Sequence, residues 1–374
     1  MPFTAEQRLE RLTASLSGTP RVQGKESRAE RRLRMNRPAN ILVGVLLHAA
    51  ARLGEGLPLT DLEQSLIDRV GKLVPAKELP LFGKAYREAC ANGPIAILPE
   101  AITSLPLETG YTKADLAAAM PALVKEVTAQ PNVRIIDVSE IDDSSRIDTE
   151  EFTAALAEYG RGITILTAPP LPEVSQAPLS ARVRMHKMYC VDNSKEVGKD
   201  EVYWAVSAGS DTTSKTSFKT AEFGSVRSES WYTFPYTYRS ETYLFNGTVD
   251  QYLTAEIQCW EADDSDGGFY NDLRDALKDF AEWAVGTSTN LNEAGDDHAQ
   301  KSAGWAAWLA IGTGLLNAIL GWLTNDDDLV CERSFGFSRA ALIKLSNRTN
   351  GEDSWRFDGG GGGDHWLYLR TAID

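Results

Sequence analysis

One stretch, from Ile257 to Phe337, limits how this chain can fold more than any other. An alternating apolar segment, Ile257-Gln-Cys-Trp-Glu261, runs into the acidic cluster Asp263-Asp264-Ser-Asp266. A second acidic cluster, Asp326-Asp327-Asp328, runs out into Leu329-Val-Cys331. Between them, residues 270–285 space Leu273, Leu277, Phe280 and Trp283 as an amphipathic helix. Residues 303–323 then read as a second helix of 21 residues without a charge. Trp305, Trp308, Leu315, Leu316, Ile319, Trp322 and Leu323 make a wide apolar face on it. Ala303, Ala307, Ala310, Gly314, Ala318 and Gly321 make a stripe suited to close helix packing. Without this insert, residues 270–324, the flanking strands join sensibly. The expectation is a helical hairpin set into a loop between two strands. Its second helix has the length of a membrane span of ~20 residues. Burial against a sheet or the N-terminal region is the first reading, and its apolar face is otherwise the candidate contact with a membrane or a partner protein.

At 374 residues the chain has room for two or three domains, and 43% hydrophobic with 24% charged residues fits a globular protein. A formal charge of -15 argues against general nucleic-acid binding. Residues 1–40 run the other way, with nine basic side chains against four acidic ones. Arg28, Arg31, Arg32 and Arg34 concentrate that charge in a basic arm, suited to an anionic partner or to the acidic face of a second copy. Cys90, Cys190, Cys259 and Cys331 form no closely spaced pair and read as reduced, mostly buried thiols of a protein made in the cytoplasm. The first residues show no signal peptide; peripheral membrane attachment and specialised export stay open.

The expected fold is α+β and multidomain. Residues 1–93 read as helical: 6–17, 25–34, an apolar core helix over 40–52, and 61–73 with Thr60 or Asp61 as N-cap. Residues 94–172 read as a small α/β region, with strands over 95–98, 133–138 and 163–167 and helices over 113–128 and 149–159. A proline-rich linker ends at 173–178. Residues 179–374 turn to Val, Thr, Tyr, Phe and Trp in alternation, the pattern of half-buried antiparallel strands.

Within the middle region, Glu140, Asp142, Ser144, Asp148 and Glu151 stand at the ligand positions of a loop that resembles an EF-hand. Ser145 occupies the place of the turn glycine, and no helix leads in. The other reading is that Asp148 and Glu150 favour the start of the 149–159 helix.

The C-terminal segments, in order, resemble a C2 domain. Asp192, Gly198 and Asp200 are similar to that family's first loop, and Asn246-Gly-Thr to its second. Glu261 and Asp263, followed after the insert by Asp328-Leu-Val, are similar to its third loop. Trp355-Arg-Phe357, the glycines 359–363 and Trp366-Leu-Tyr-Leu resemble the closing strands. Glu261 replaces the family's Asp, and Glu201 its Pro after the second loop-one acid. The resemblance implies a β-sandwich binding Ca2+ through Asp192, Asp200, Glu261, Asp263 and Asp328. Carboxylates and carbonyls are the oxygen ligands calcium takes, at about 2.3–2.6 Å. Five acids placed together repel without a cation. As turn formers, the same residues need no metal.

No GxSxG, HExxH, phosphate-loop or dinucleotide fingerprint occurs. The leading expectation is therefore a non-enzymatic, calcium-responsive protein docking on a membrane surface or protein partner. The alternatives are a structural subunit with a calcium-free scaffold, self-associating through its arm, and an enzyme whose site lies in 94–172.

Overall fold

The computed structural model describes residues 4–18, 28–72, 74–142, 145–169, 177–194, 200–212, 214–235, 242–261, 298–323, 329–348 and 351–374. They are mixed α+β, with helices up to Thr128 and two sheets from Val133 onwards. Their contacts divide them into two units. One holds residues 4–127 and 307–323; the other holds 128–261, 298–306 and 329–374.

The helical unit opens with α1 (Ala5–Ser17) and α2 (Arg28–Met35). α3 (Ile41–Gly54) follows, then α4 (Asp61–Val70), α5 (Leu79–Asn92), the single turn α6 (Glu100–Thr103) and α7 (Lys113–Thr128). Thr4 and Thr60 cap α1 and α4 through reciprocal capping boxes with Gln7 and Glu63. α3 is the core helix, buried on all sides from Ile41 to Arg52. Its partner α5 crosses it at Gly83, where a Cβ would lie 2.3 Å from the Ala51 nitrogen. Glu63, buried on α4, accepts from the backbone N–H of Thr60 and Tyr111 and lies 3.3 Å from Arg52. Arg52 in turn donates to the carbonyls of Leu107 and Pro58. One desolvated ion pair therefore ties the loop at 107–111 to two helices.

The expected strand at 95–98 is a turn, closed by Leu98 N–H donating to the Ile95 carbonyl. Pro94 and Pro99 bracket it. Its carbonyls are used by side chains, Ile97 accepting from Asn40 and Leu98 from Arg37, rather than by a neighbouring strand.

The second unit is built on two sheets. The seven-stranded sheet runs β1 (Val133–Asp137), β2 (Arg161–Thr167), β10 (Leu329–Ser338), β9 (Tyr252–Glu261), β4 (Asp200–Ser210), β5 (Lys215–Lys219), with β6 (Phe223–Val226) also on β4. The five-stranded sheet runs β11 (Glu352–Asp358), β12 (Asp364–Ile373), β3 (Leu179–Asp192), β7 (Ser230–Thr233), with β8 (Tyr243–Val249) also on β3. α8 (Glu150–Tyr159), capped by Thr149, joins β1 to β2. The two sheets share one core. Val183, Met185 and Met188 of β3 and Leu367 and Leu369 of β12 meet Trp204, Val206, Ile257 and Phe335 from the larger sheet. α10 (Arg339–Asn347) adds Ala341, Leu342 and Leu345.

Every strand pair within 179–374 is antiparallel, as the alternation implies, among the described residues. Two features differ from expectation. β1 and β2 do not make a sheet of their own; β2 pairs parallel to β10 and extends the larger sheet. β2 is buried along its whole length, the mark of a strand inside a sheet. Asn246-Gly-Thr, expected as a loop, lies inside β8, paired with Arg182, Ala181 and Ser180.

The uncharged helix is present as α9 (His298–Leu323); residues 298–306 belong to the second unit and 307–323 to the first. Its expected partner helix at 270–285 lies outside the described residues. In the helical unit, Trp322 meets Phe82 edge-on at 5.9 Å, and a Cβ at Gly314 would lie 2.7 Å from the Ala39 carbonyl oxygen. In the other unit, Trp305 packs on Tyr252 at 4.9 Å and against Gly336.

Candidate functional site

Three of the five expected calcium ligands stand at strand ends of the sheet unit. Asp192 ends β3, Asp200 begins β4 and Glu261 ends β9. Asp263 and Asp328 lie outside the described residues. Asp200 is buried. Its Oδ2 accepts from the Ser194 N–H at 2.5 Å, and its Oδ1 lies 3.1 Å from the Ser194 hydroxyl and 3.4 Å from the Asn193 amide. The same hydroxyl donates to Glu261 at 2.8 Å. Asp192 accepts from Ser228 at 3.1 Å. The loop thus supplies its own donors to both oxygens of Asp200, the positions a calcium ion would need. Among the described residues no group of three or more His, Cys, Asp or Glu is placed to hold a metal ion.

A fourth acid, Asp364, stands opposite Asp192 across β12 and β3, and no motif marked it. Burial raises its proton affinity, and the hydrogen bond from Arg356 (2.6 Å) opposes that. The neighbouring Cys190 thiol is pushed up to about 12, by burial first and then by Asp200, Asp192 and Asp364.

The EF-hand-like loop is used otherwise. Asp148 takes both terminal nitrogens of Arg333, at 2.6 and 3.0 Å, and the Arg356 N–H at 2.8 Å. Arg333 also donates to Thr164 and lies against the rings of Phe152, Phe335, Trp355 and Phe357 at 4.9–5.9 Å. Farther along, Arg348 donates to the carbonyls of Ile141, Asp142 and Ser145. Asp148 is neutralised by arginine and sealed from solvent, which removes it as a calcium ligand in this conformation. Ser144 lies outside the described residues.

The apolar face offered for membrane or partner contact is turned into the chain. Trp305, Trp308, Leu315, Ile319 and Trp322 are each at most 4% exposed. The side chains of Leu316 and Leu323 lie outside the described set. Among the described residues no helix is long and apolar enough to cross a membrane. The basic arm is only partly at the surface. Arg34 is exposed, Arg31 half-buried and Arg32 buried on α2, while the Arg28 side chain is outside the described set.

The strongly perturbed ionisable groups of the sheet unit are sealed. Burial, and then the charge of Glu332, raise Glu256 well above the usual carboxyl range, against opposing contributions from Ser334 and Arg161. Its Oε2 accepts from Ser334 at 2.5 Å, and its Oε1 has no hydrogen-bond partner among the described residues. His365 is pushed down to about 4 by burial alone. Burial raises Cys259, which stands directly opposite Cys331. All four cysteines are free thiols.

Two features at the surface had no clear sequence signal. A cavity of about 710 Å³ opens between β5 and the β7 and β8 strands, lined by Phe218, Phe223, Phe234, Pro235 and Tyr243, with Lys219, Glu222 and Asn246 among its polar residues. On the outer face of the five-stranded sheet, Trp231 is 54% exposed beside Tyr189 and Tyr368. Alternation along β3, β7 and β12 places these rings on the outer face, but only the strand register makes them neighbours. No protein-family model matches the chain, and no curated protein matches it.

Proposed function

We propose that the chain is a non-enzymatic binding protein in which the two-sheet unit is a scaffold, similar to a C2 sandwich, whose loop end is closed by its own hydrogen bonds. The observation that carries this is Asp200: the Ser194 N–H reaches one of its oxygens and the Asn193 amide the other. The α9 face, packed inside the chain, supports a structural part for that helix.

A second reading keeps the calcium response. It is favoured by Asp200 and Glu261 standing on either side of the Ser194 hydroxyl, with Asp192 at the same end of the sheets. Docking on a membrane or protein would then follow calcium. One experiment separates the readings: thermal melts of the intact chain in millimolar calcium and in chelator. The self-closed loop predicts superimposable curves. Saturating a site a hundredfold over Kd would stabilise by about 2.7 kcal/mol. A calcium-dependent rise in Tm that Asp200→Asn abolishes would replace the first reading with the second.

A further inference from the structure

We propose that Cys259 and Cys331 are a redox-modification site. They close into a cross-strand disulfide when the chain folds in the presence of a low-molecular-weight disulfide, and folding then seals whichever state was reached. The pair is independent of the calcium question.

Strand register brings the two thiols together. Cys259 on β9 stands directly opposite Cys331 on β10 in an antiparallel pair. Directly opposed residues have Cα atoms about 4.5 or 5.5 Å apart, according to the kind of pair. A disulfide spans Cα separations of about 4.4–6.8 Å, so either kind suits it. Both side chains belong to the core shared by the two sheets, and both are fully buried. Opposed Cβ atoms start about 4.5–5.5 Å apart, and a disulfide holds them at about 3.5–4.5 Å. The pairing is irregular between Leu329 and Cys331, so the ladder is already broken beside the thiol that has to close that difference.

Position decides against the other chemistries of these thiols. Cys190 lies in the same core, but on β3 of the five-stranded sheet. Packed sheets stand about 10 Å apart, and Cα atoms beyond about 7 Å are not bridged without moving the backbone. Cys90 belongs to the other unit. A structural zinc ion takes four ligands. Among the described residues no group of three or more His, Cys, Asp or Glu is placed to hold a metal ion. What remains to a facing pair of thiols is oxidation to a disulfide.

The place gives the bond an effect. The chain leaves the sheet after β9 and returns, by way of α9, at β10. The bond would close a loop of about 70 residues at its base, and cross-linking a long loop removes much of the unfolded chain's freedom. With glutathione disulfide as the oxidant the reaction balances. One thiolate attacks a sulfur of the oxidant and expels the first glutathione; the second thiolate displaces the other. Two S–H bonds are lost and one S–S bond forms. The oxidant's S–S bond is reduced to two glutathione thiols, which take the two protons. In the folded chain this reaction stops. Both sulfurs are out of reach of solvent, and burial, with Cys331 and Cys190 adding to it, holds the Cys259 thiol protonated. Exchange needs a thiolate and access to it, and here it has neither.

The test produces the full chain twice, in a bacterial cytoplasm kept reducing and in a strain whose cytoplasm accumulates glutathione disulfide. Unfolded in urea, the first product should show four free thiols. A peptide map of the second should contain one fragment joining the segments around Cys259 and Cys331. That product should melt higher by roughly 5–15 °C. Cys331→Ala should melt alike from both strains; the parent's peptide map decides the linkage even where this variant misfolds. Dithiothreitol should leave the bond intact for hours in the folded chain and cut it within minutes in urea. Glutathione disulfide added to the folded reduced chain should leave Cys259 and Cys331 as thiols. Five results overturn the proposal: no linkage between these two residues in the oxidising strain, a bond from Cys190 or Cys90 in its place, a linked form that melts below the reduced one, a bond cut as fast in the folded chain as in urea, or a linkage gained by the folded reduced chain.

Discussion

Replacing Asp148 by Ala removes the only carboxylate that faces Arg333 among the described residues, and both side chains are at most 1% exposed. The guanidinium keeps Thr164 and the Arg356 carbonyl as acceptors. It loses a two-pronged ionic partner, and the Arg356 N–H loses its acceptor as well. Breaking a buried pair on one side costs about 3–5 kcal/mol, because the remaining charge stays desolvated. In a unit of this size that corresponds to a Tm lower by roughly 6–20 °C. The companion change is Asp148→Ala with Arg333→Met. Four aromatic rings already surround Arg333, so an unbranched apolar side chain fits there, and removing both charges should recover most of the loss. Urea unfolding followed by tryptophan fluorescence, with hydrogen exchange along β10 to assign the transition to this unit, gives both values. A single variant that loses less than about 1 kcal/mol would refute the reasoning. So would a double variant no more stable than the single. The first result would also return Asp148 to the surface and reopen the EF-hand-like reading.

Glu256→Gln tests the buried carboxyl. The folded protein holds the Glu256 proton more tightly than the unfolded chain does, so its contribution to stability is complete below the ordinary value near 4.5 and is lost as pH rises toward the raised folded value. The Gln variant should match the parent near pH 4 and exceed it at pH 8 in denaturant midpoint; parallel pH profiles would contradict this. Trp322→Ala, at the Phe82 contact, should cost about 3–5 kcal/mol of stability as a core cavity. A variant that melts like the parent but binds vesicles less would instead make Trp322 a surface contact. The calcium experiment completes the set.

Much of the secondary structure was legible because it is local. The 3.6-residue spacing and threonine caps mark α1, α4 and α7, and two-residue alternation marks β3, β4 and β12. The apolar segment of α3 is too short to span a bilayer and is buried on every side, as its composition implied. The 95–98 segment misled because apolar residues between prolines read as a strand, while a strand needs a partner that composition does not supply. β2 was legible as a strand but not as the neighbour of β10, since pairing across more than 150 residues of chain leaves no local trace.

Sequence alone determined most of the element types, the acidic loop residues and the small-residue stripe on α9, because each depends on a residue and its near neighbours. Tertiary structure decided what those residues do. Asp148 is a metal-ligand type by spacing and an arginine partner in the fold, because β10 carries Arg333 to the connection that leads into α8. The α9 tryptophans are a membrane-like face by composition and core by packing, because Phe82 and Tyr252 come to them from distant parts of the chain. Trp231, Tyr189 and Tyr368 are three scattered aromatics in sequence. They become one surface only where β7, β3 and β12 lie side by side, since hydrogen-bonded strands run about 4.7–4.9 Å apart and hold facing rings in contact.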